Sequence, residues 1–163
     1  MLVVSNSSPV MNLAAIGQLD LLEKLYSKIT IAQAVYSEIA LQGAGMPGSN
    51  EVQTLFWIET KTVKDRTKVL LLQTELDVGE SETIALALEL KADLLLMDER
   101  LGRAKAASLG LKFIGILGIL IEAKRLGYVS NIKQLMDDLM LKAGFWIDHK
   151  LYLRVLQSAG EIT

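Results

Sequence analysis

Oxygen-bearing side chains follow two apolar segments of this chain. Asn6 and Ser8 follow an apolar run at the N-terminus, and Asp98 and Glu99 follow a second run, Leu94–Met97. The sequence has no cysteine and a single histidine, so oxygen atoms are the main candidates for metal ligands. Carboxylate and amide oxygens suit a hard divalent ion such as Mg²⁺ or Mn²⁺. Such an ion can generate hydroxide and stabilise charge on phosphate oxygens, which indicates hydrolysis of a phosphodiester.

Two glutamates on predicted helices are candidates for the same site. Glu38 comes three residues after Val35, so it leans toward the buried side of its helix. Glu80 precedes Ile84 by four residues and therefore lies in line with an apolar stripe. Glu82 is related by a seven-residue step to a second glutamate, and that spacing predicts a position that faces solvent.

Each of these residues also has a purely structural explanation. Glu38 could be a rim carboxylate paired with a lysine, and Glu80 could close a capping box that starts at Asp77. Asp98 could cap a helix that begins near Leu101, and the polar cluster at the N-terminus could form a turn. For each residue alone these alternatives stay open. Together, however, several repelling carboxylates around one cleft would be costly to assemble without a cation.

The charge balance limits how this chain can hold nucleic acid. The formal net charge is −2 and the isoelectric point is near 5.5, which argues against a generally cationic surface. Arg100, Arg103 and Lys105 follow Asp98 and can form a local basic patch that contacts phosphates. A solvated helix position is the simpler interpretation for Lys105, so we predict Arg100 and Arg103 as nucleic-acid-binding residues.

Length and composition predict one cytoplasmic domain that covers residues 1–163. The absence of cysteine is typical of a reducing compartment, and the N-terminus lacks the basic start of a signal peptide. The longest apolar run is far shorter than the ~20 residues that span a bilayer. Hydrophobic residues make up 51% of the chain, which is rich for a monomer and favours a homodimer.

The elements that position these residues alternate between strands and helices. We predict strands at residues 2–4, 29–31, 57–63, 94–97 and 112–114, with helices between them and two more helices at the C-terminal end. The polar strand 57–63 is expected at a sheet edge. This order indicates an α/β fold, an α/β/α sandwich with a central parallel sheet of about five strands. In such sheets a site forms beyond the carboxyl ends of the strands, where the strand order reverses.

Four sequence strings resemble the PIN-domain nucleases, and more closely a prokaryotic PIN-like subgroup related to the toxin nucleases of toxin-antitoxin pairs. The strings are SNSSP at the first strand, VYSEI around Glu38, LDVGESETIALALELKADLLLMDERLGR and GILGILIEAKRLG. The resemblance implies a metal-dependent ribonuclease whose acidic ligands map to Glu38, Glu80 and Asp98. It also makes Glu82 an alternative to Glu80, and Ser8 matches a small hydroxyl residue two places after the first acid.

Asn6 stands where the resemblance implies an aspartate. An amide oxygen can still bind Mg²⁺ or hold a metal-bound water, but it attracts a dication less than a carboxylate does. The leading hypothesis is an endoribonuclease that uses Glu38, Glu80 and Asp98 with Asn6 assisting, and with Ser8, Glu82 and Glu99 in support. Its partners would be RNA and a small antitoxin protein.

Two other classes remain as alternatives. One is a catalytically weak or inactive PIN-like module that binds nucleic acid or regulates a partner, since the first acid is missing. The other is a phosphoacceptor receiver domain, which ranks lower because no convincing acceptor aspartate follows a middle strand and no lysine follows a later one.

Overall fold

A computed structural model describes residues 1–163 and contains one five-stranded sheet in which every pair of neighbours is parallel. The strands are Val3–Ser5 (β1), Ile29–Ala32 (β2), Ile58–Lys61 (β3), Leu94–Leu96 (β4) and Phe113–Ile114 (β5). Their order across the sheet is β3-β2-β1-β4-β5. The predicted α/β class with a central parallel sheet is confirmed, as is the edge position of the polar strand β3.

Ten α-helices surround the sheet. They are Ser7–Ala15 (α1), Asp20–Tyr26 (α2), Gln33–Tyr36 (α3), Ser49–Thr54 (α4), Arg66–Leu72 (α5), Val78–Leu90 (α6), Arg100–Ser108 (α7), Ile116–Arg125 (α8), Lys133–Lys142 (α9) and His149–Ser158 (α10). Helix α3 continues directly into a six-residue π-helical segment, Ser37–Gln42. None of the helices is both long and apolar enough to cross a membrane.

The strand order reverses between β1 and β4. The chain runs from β1 outward through β2 to β3 and then returns to place β4 on the other side of β1. Val4 is in register with Thr30 of β2 on one side and with Leu95 of β4 on the other. Just beyond the strand ends, the Asn6 backbone N–H donates to the Leu96 carbonyl at 2.9 Å. Asn6 and the residues after β4 therefore meet at the reversal point, where ligand sites of such sheets form.

Helix α6 is the interior helix of the fold. Eight of its thirteen residues are buried, among them Ser81, Glu82 and Thr83. It belongs to a hydrophobic cluster of 39 buried residues that also includes Leu95 and Leu96 of β4. The prediction that Glu82 faces solvent is wrong, because Glu82 is only 5% exposed.

Candidate functional site

Asn6 lies at the centre of the reversal point and is 2% exposed. Its side-chain Nδ2 donates to Glu99 Oε2 at 2.9 Å, which joins the end of β1 to the segment after β4. Its Oδ1 accepts from the Thr83 hydroxyl at 3.3 Å, and that hydroxyl also donates to the Gly79 carbonyl at 2.7 Å. The amide is thus fixed by contacts on two sides.

Glu99 is held by two side chains of the β1–α1 connection. Asn6 donates to Oε2, and the Ser8 hydroxyl donates to Oε1. Glu99 occupies the N-cap position of α7 but makes no side-chain hydrogen bond to that helix. Both of its oxygens therefore point across the reversal point, a pairing that depends on the adjacency of β1 and β4.

Glu38 reaches the same area from the π-helical segment. Its Oε2 accepts from the Ser7 hydroxyl at 2.8 Å, so its partner is a hydroxyl and not a lysine. A side-chain carbon on Gly79 would stand 3.0 Å from Glu38 Oε2 and 3.9 Å from Asn6 Oδ1. The missing side chain of Gly79 therefore leaves space in which the Glu38 carboxylate and the Asn6 amide both approach the first turn of α6.

Glu80 forms the capping box of α6 that the sequence predicts as one alternative. Its backbone N–H donates to Asp77 Oδ1 at 2.8 Å, and its Oε1 accepts from the Asp77 N–H at 3.3 Å. The other oxygen, Oε2, lies 3.4 Å from the position that a side-chain carbon on Gly102 would take. Burial, the contact with Asp77 and the charge of Glu99 raise the pKa of Glu80 to about 7. The capping bond uses only Oε1, so Oε2 is available as a metal ligand.

Asp98 caps a helix, but a different one from the helix expected. Its Oδ1 accepts from the backbone N–H of Ile116 at 2.9 Å, at the start of α8. The expectation that it caps the helix near Leu101 is wrong, since Glu99 occupies the N-cap position of that helix. Asp98 Oδ2 is buried and has no hydrogen-bond partner. Burial raises the pKa of Asp98 to about 6, and the charge of Glu99 adds to the effect.

Glu82 is engaged on the other side of α6. Its Oε1 accepts from the Ala34 N–H at 2.9 Å, and its Oε2 pairs with Arg66 at 2.9 Å. Ala34 lies in the first turn of α3, the helix that leads into the segment with Glu38. The two oxygens of Glu82 are thus occupied by contacts that anchor the start of α3.

The two predicted phosphate-binding arginines differ in how firmly they are placed. The Arg103 guanidinium lies 4.9 Å from the centre of the Phe113 ring, a favourable cation–π contact. Its charge also lowers the pKa of Asp98, against the larger effect of burial. Arg100 is exposed at the start of α7, and Lys105 forms a salt bridge with Glu75.

A hard divalent ion fits this donor set if water supplies most of its ligands. No group of three or more Asp, Glu, His or Cys side chains stands close enough to hold a metal ion. Mg²⁺ does not need such a group, since it keeps several waters and takes one or two carboxylates directly. The buried oxygen of Asp98 that has no partner is a donor of the required kind. The residues therefore fit an ion held by few direct contacts and by water.

Sequence comparison identifies one matching family. The model that describes the PIN domain matches residues 2–161, nearly the whole chain. No curated protein matches the chain.

Proposed function

Because the chain belongs to the PIN domain family, whose members are generally nucleases that use divalent metal ions, we propose that it is a metal-dependent endoribonuclease that hydrolyses RNA phosphodiester bonds. Asp98 would bind Mg²⁺ or Mn²⁺ directly, Glu38 and Glu80 would hold the ion directly or through its bound waters, and Asn6 would be an uncharged helper. The bound ion would polarise the phosphate and activate the attacking water. Arg100 and Arg103 would contact the RNA backbone beside it.

The observation that carries this proposal is the free oxygen of Asp98. A buried carboxylate oxygen without a donor costs free energy, and proteins normally satisfy such groups. The oxygen lies at the reversal point of the sheet, and the neighbouring Glu99 carboxylate adds further negative charge. A cation would supply the missing partner of the Asp98 oxygen and would offset the charge of Glu99.

A second function is favoured by the contact between Asn6 and Glu99. The Asn6 amide satisfies one Glu99 oxygen without any cation. A chain that relies on this contact can keep the fold while binding metal weakly, so a PIN-like module that binds nucleic acid without cleaving it is the alternative.

We also propose two assembly partners, which are a small antitoxin protein and a second copy of the chain. Leu70 and Leu71 of α5 and Leu101 of α7 are large apolar side chains that are exposed, and such surface favours a protein contact.

RNA cleavage with added Mg²⁺ or Mn²⁺ tests the proposed activity. Wild type is expected to cleave, chelation of the metal to stop cleavage, Asp98→Asn to abolish it, and Asn6→Asp to raise it. Metal-independent RNA binding with no cleavage by wild type or by either variant would favour the non-catalytic module.

A further inference from the structure

A groove of about 460 Å³ begins at the candidate site and runs along α8 and α10. Its charged members are Asp98 and Arg103, and its other members are apolar or glycine. A volume of this size falls within the ~300–1,000 Å³ that is typical of small-molecule sites. The groove is therefore continuous with the site through Asp98 and differs from it in being mostly apolar.

Aromatic side chains shape this groove. Phe113, Phe145 and Trp146 all line it, and Trp146 is 83% exposed. An indole ring has a large apolar area that is normally covered. Trp57, the other tryptophan, follows the rule and is only 4% exposed. The groove thus presents an open aromatic face and also contains Asp98, beside which the proposed function places the reacting phosphate.

The single cation of the groove is already oriented. The Arg103 guanidinium stacks on Phe113, and Arg103 and Phe113 line the same groove as Asp98. An arginine in this place complements a phosphate, while the apolar walls complement a flat, uncharged ring. A nucleotide combines these two features, since its base is one sugar away from its phosphate.

We propose that this groove binds an unstacked nucleobase of single-stranded RNA, next to a phosphate that Arg103 contacts beside Asp98. This inference rests on the proposed function. The base stacks on Trp146, and since every base has a π-face, the subsite is tolerant of sequence. The groove therefore favours a single strand, whose unpaired bases can enter it.

Binding measured without divalent metal separates this inference from cleavage. The probe is a single-stranded oligonucleotide, compared with an abasic oligonucleotide of the same length, in the presence of EDTA. Wild type is expected to bind the base-containing probe more tightly and to show quenching of Trp146 fluorescence. Trp146→Ala is expected to lose about 5- to 150-fold in affinity for that probe, the range that corresponds to about 1–3 kcal/mol per stacked base. Its affinity for the abasic probe should not change.

Two further variants control for aromatic content and exposure. Trp146→Phe keeps a stacking ring and is expected to retain most of the affinity. Phe56 is also an exposed aromatic residue, at 88%, but it precedes β3 and does not line the groove. Phe56→Ala is therefore expected to bind like wild type.

Several outcomes would overturn the inference. Equal affinity for the two probes, no effect of Trp146→Ala, or no binding at all would exclude a base subsite. A change of oligomeric state in Trp146→Ala without any change in RNA binding would identify the groove as an interface between copies instead. Cleavage of RNA by wild type in a parallel assay with Mn²⁺ would leave the proposed function intact in each of these cases.

Discussion

The Asn6 amide donates to Glu99 Oε2 at 2.9 Å and so bridges the two strands between which the sheet order reverses. An aspartate at this position could not donate that bond when ionised. It would instead place a second negative charge against Glu99, close to the already crowded carboxylates of Glu80 and Asp98. The amide therefore stabilises the site when no metal is bound.

Asn6→Asp should make the fold more dependent on metal. In EDTA we expect a loss of about 1–3 kcal/mol in the free energy of unfolding, because a buried donor is replaced by a repelling charge. Added Mg²⁺ or Mn²⁺ should recover most of this loss, since a ligand that binds the folded state stabilises it. Urea unfolding with and without metal measures both effects. Asn6→Ala is the uncharged control, and it should lose stability without any added response to metal.

Gly79→Ala should separate metal binding from folding. The new carbon would stand 3.0 Å from Glu38 Oε2, the mobile end of a side chain, so the carboxylate would be displaced while the backbone stays in place. Helix propensity favours alanine over glycine by up to about 1 kcal/mol, so stability should be retained or raised. We expect metal affinity and RNA cleavage to fall about tenfold or more, as measured by calorimetric titration and by RNA cleavage.

A double-mutant cycle tests whether this effect passes through Glu38. If it does, Gly79→Ala should change little in a Glu38→Gln background. An undiminished effect of Gly79→Ala in that background would show that Gly79 acts on the site through some other residue.

The sheet could be predicted from the sequence because the residue pattern within each strand indicates how that strand is buried. The apolar run that contains Leu95 and Leu96 has no polar alternation, as expected for a strand covered on both faces, and both residues are fully buried. The polar β3 is at an edge for the complementary reason. The capping box of Glu80 was equally visible, since its residues lie within one turn.

Other features needed tertiary information. The prediction that Glu82 is exposed requires one face of α6 to be open to solvent, but the β3–α5 connection covers that face. Arg66 pairs with Glu82, and the backbone N–H groups of Lys64 and Asp65 donate to Glu89 on the same stripe. Asp98 similarly caps α8, which begins 18 residues later in the sequence. The sequence pattern does not predict the π-helical segment with Glu38 or the short, polar helix α4.

Asp98→Asn should stabilise the metal-free protein in a way that depends on pH. The folded-state pKa of Asp98 is about 6, raised from 3.8 by burial, so the folded protein holds its proton more tightly than the unfolded chain does. Wild type should therefore lose stability as the pH rises from about 4 to about 6, by roughly 3 kcal/mol at ~1.4 kcal/mol per pKa unit. The variant should lack this loss, because an amide does not titrate and can still accept from Ile116.

Urea unfolding of both proteins in EDTA at pH 4 and at pH 7 measures this difference. The variant should exceed wild type by little at pH 4 and by up to about 3 kcal/mol at pH 7. Saturating Mg²⁺ at pH 7 should narrow the gap by stabilising wild type alone. A gap that is equal at the two pH values would contradict a titrating Asp98.

Glu80→Gln and Glu82→Gln should have opposite consequences and so identify the third ligand. The amide introduced by Glu80→Gln retains an oxygen for the capping box, and the raised pKa of Glu80 shows that its charge is unfavourable in the metal-free folded state. We therefore expect stability at pH 7 in EDTA to be retained or raised, together with a large loss of metal affinity and cleavage. Wild-type metal affinity should also rise with pH through about 7, where Glu80 becomes charged, and Glu80→Gln should flatten that rise.

Glu82→Gln removes the charge that pairs with Arg66 and leaves a weaker, uncharged acceptor for the Ala34 N–H, and neither contact involves the reversal point. We expect it to lose about 1–3 kcal/mol in the free energy of unfolding and to keep cleavage measurable below its unfolding temperature. Arg66→Ala is the matched control, since it breaks the same pair from the partly exposed side and should reproduce part of that stability loss. The reverse result, cleavage abolished in Glu82→Gln at unchanged stability and retained in Glu80→Gln, would assign the third ligand to Glu82.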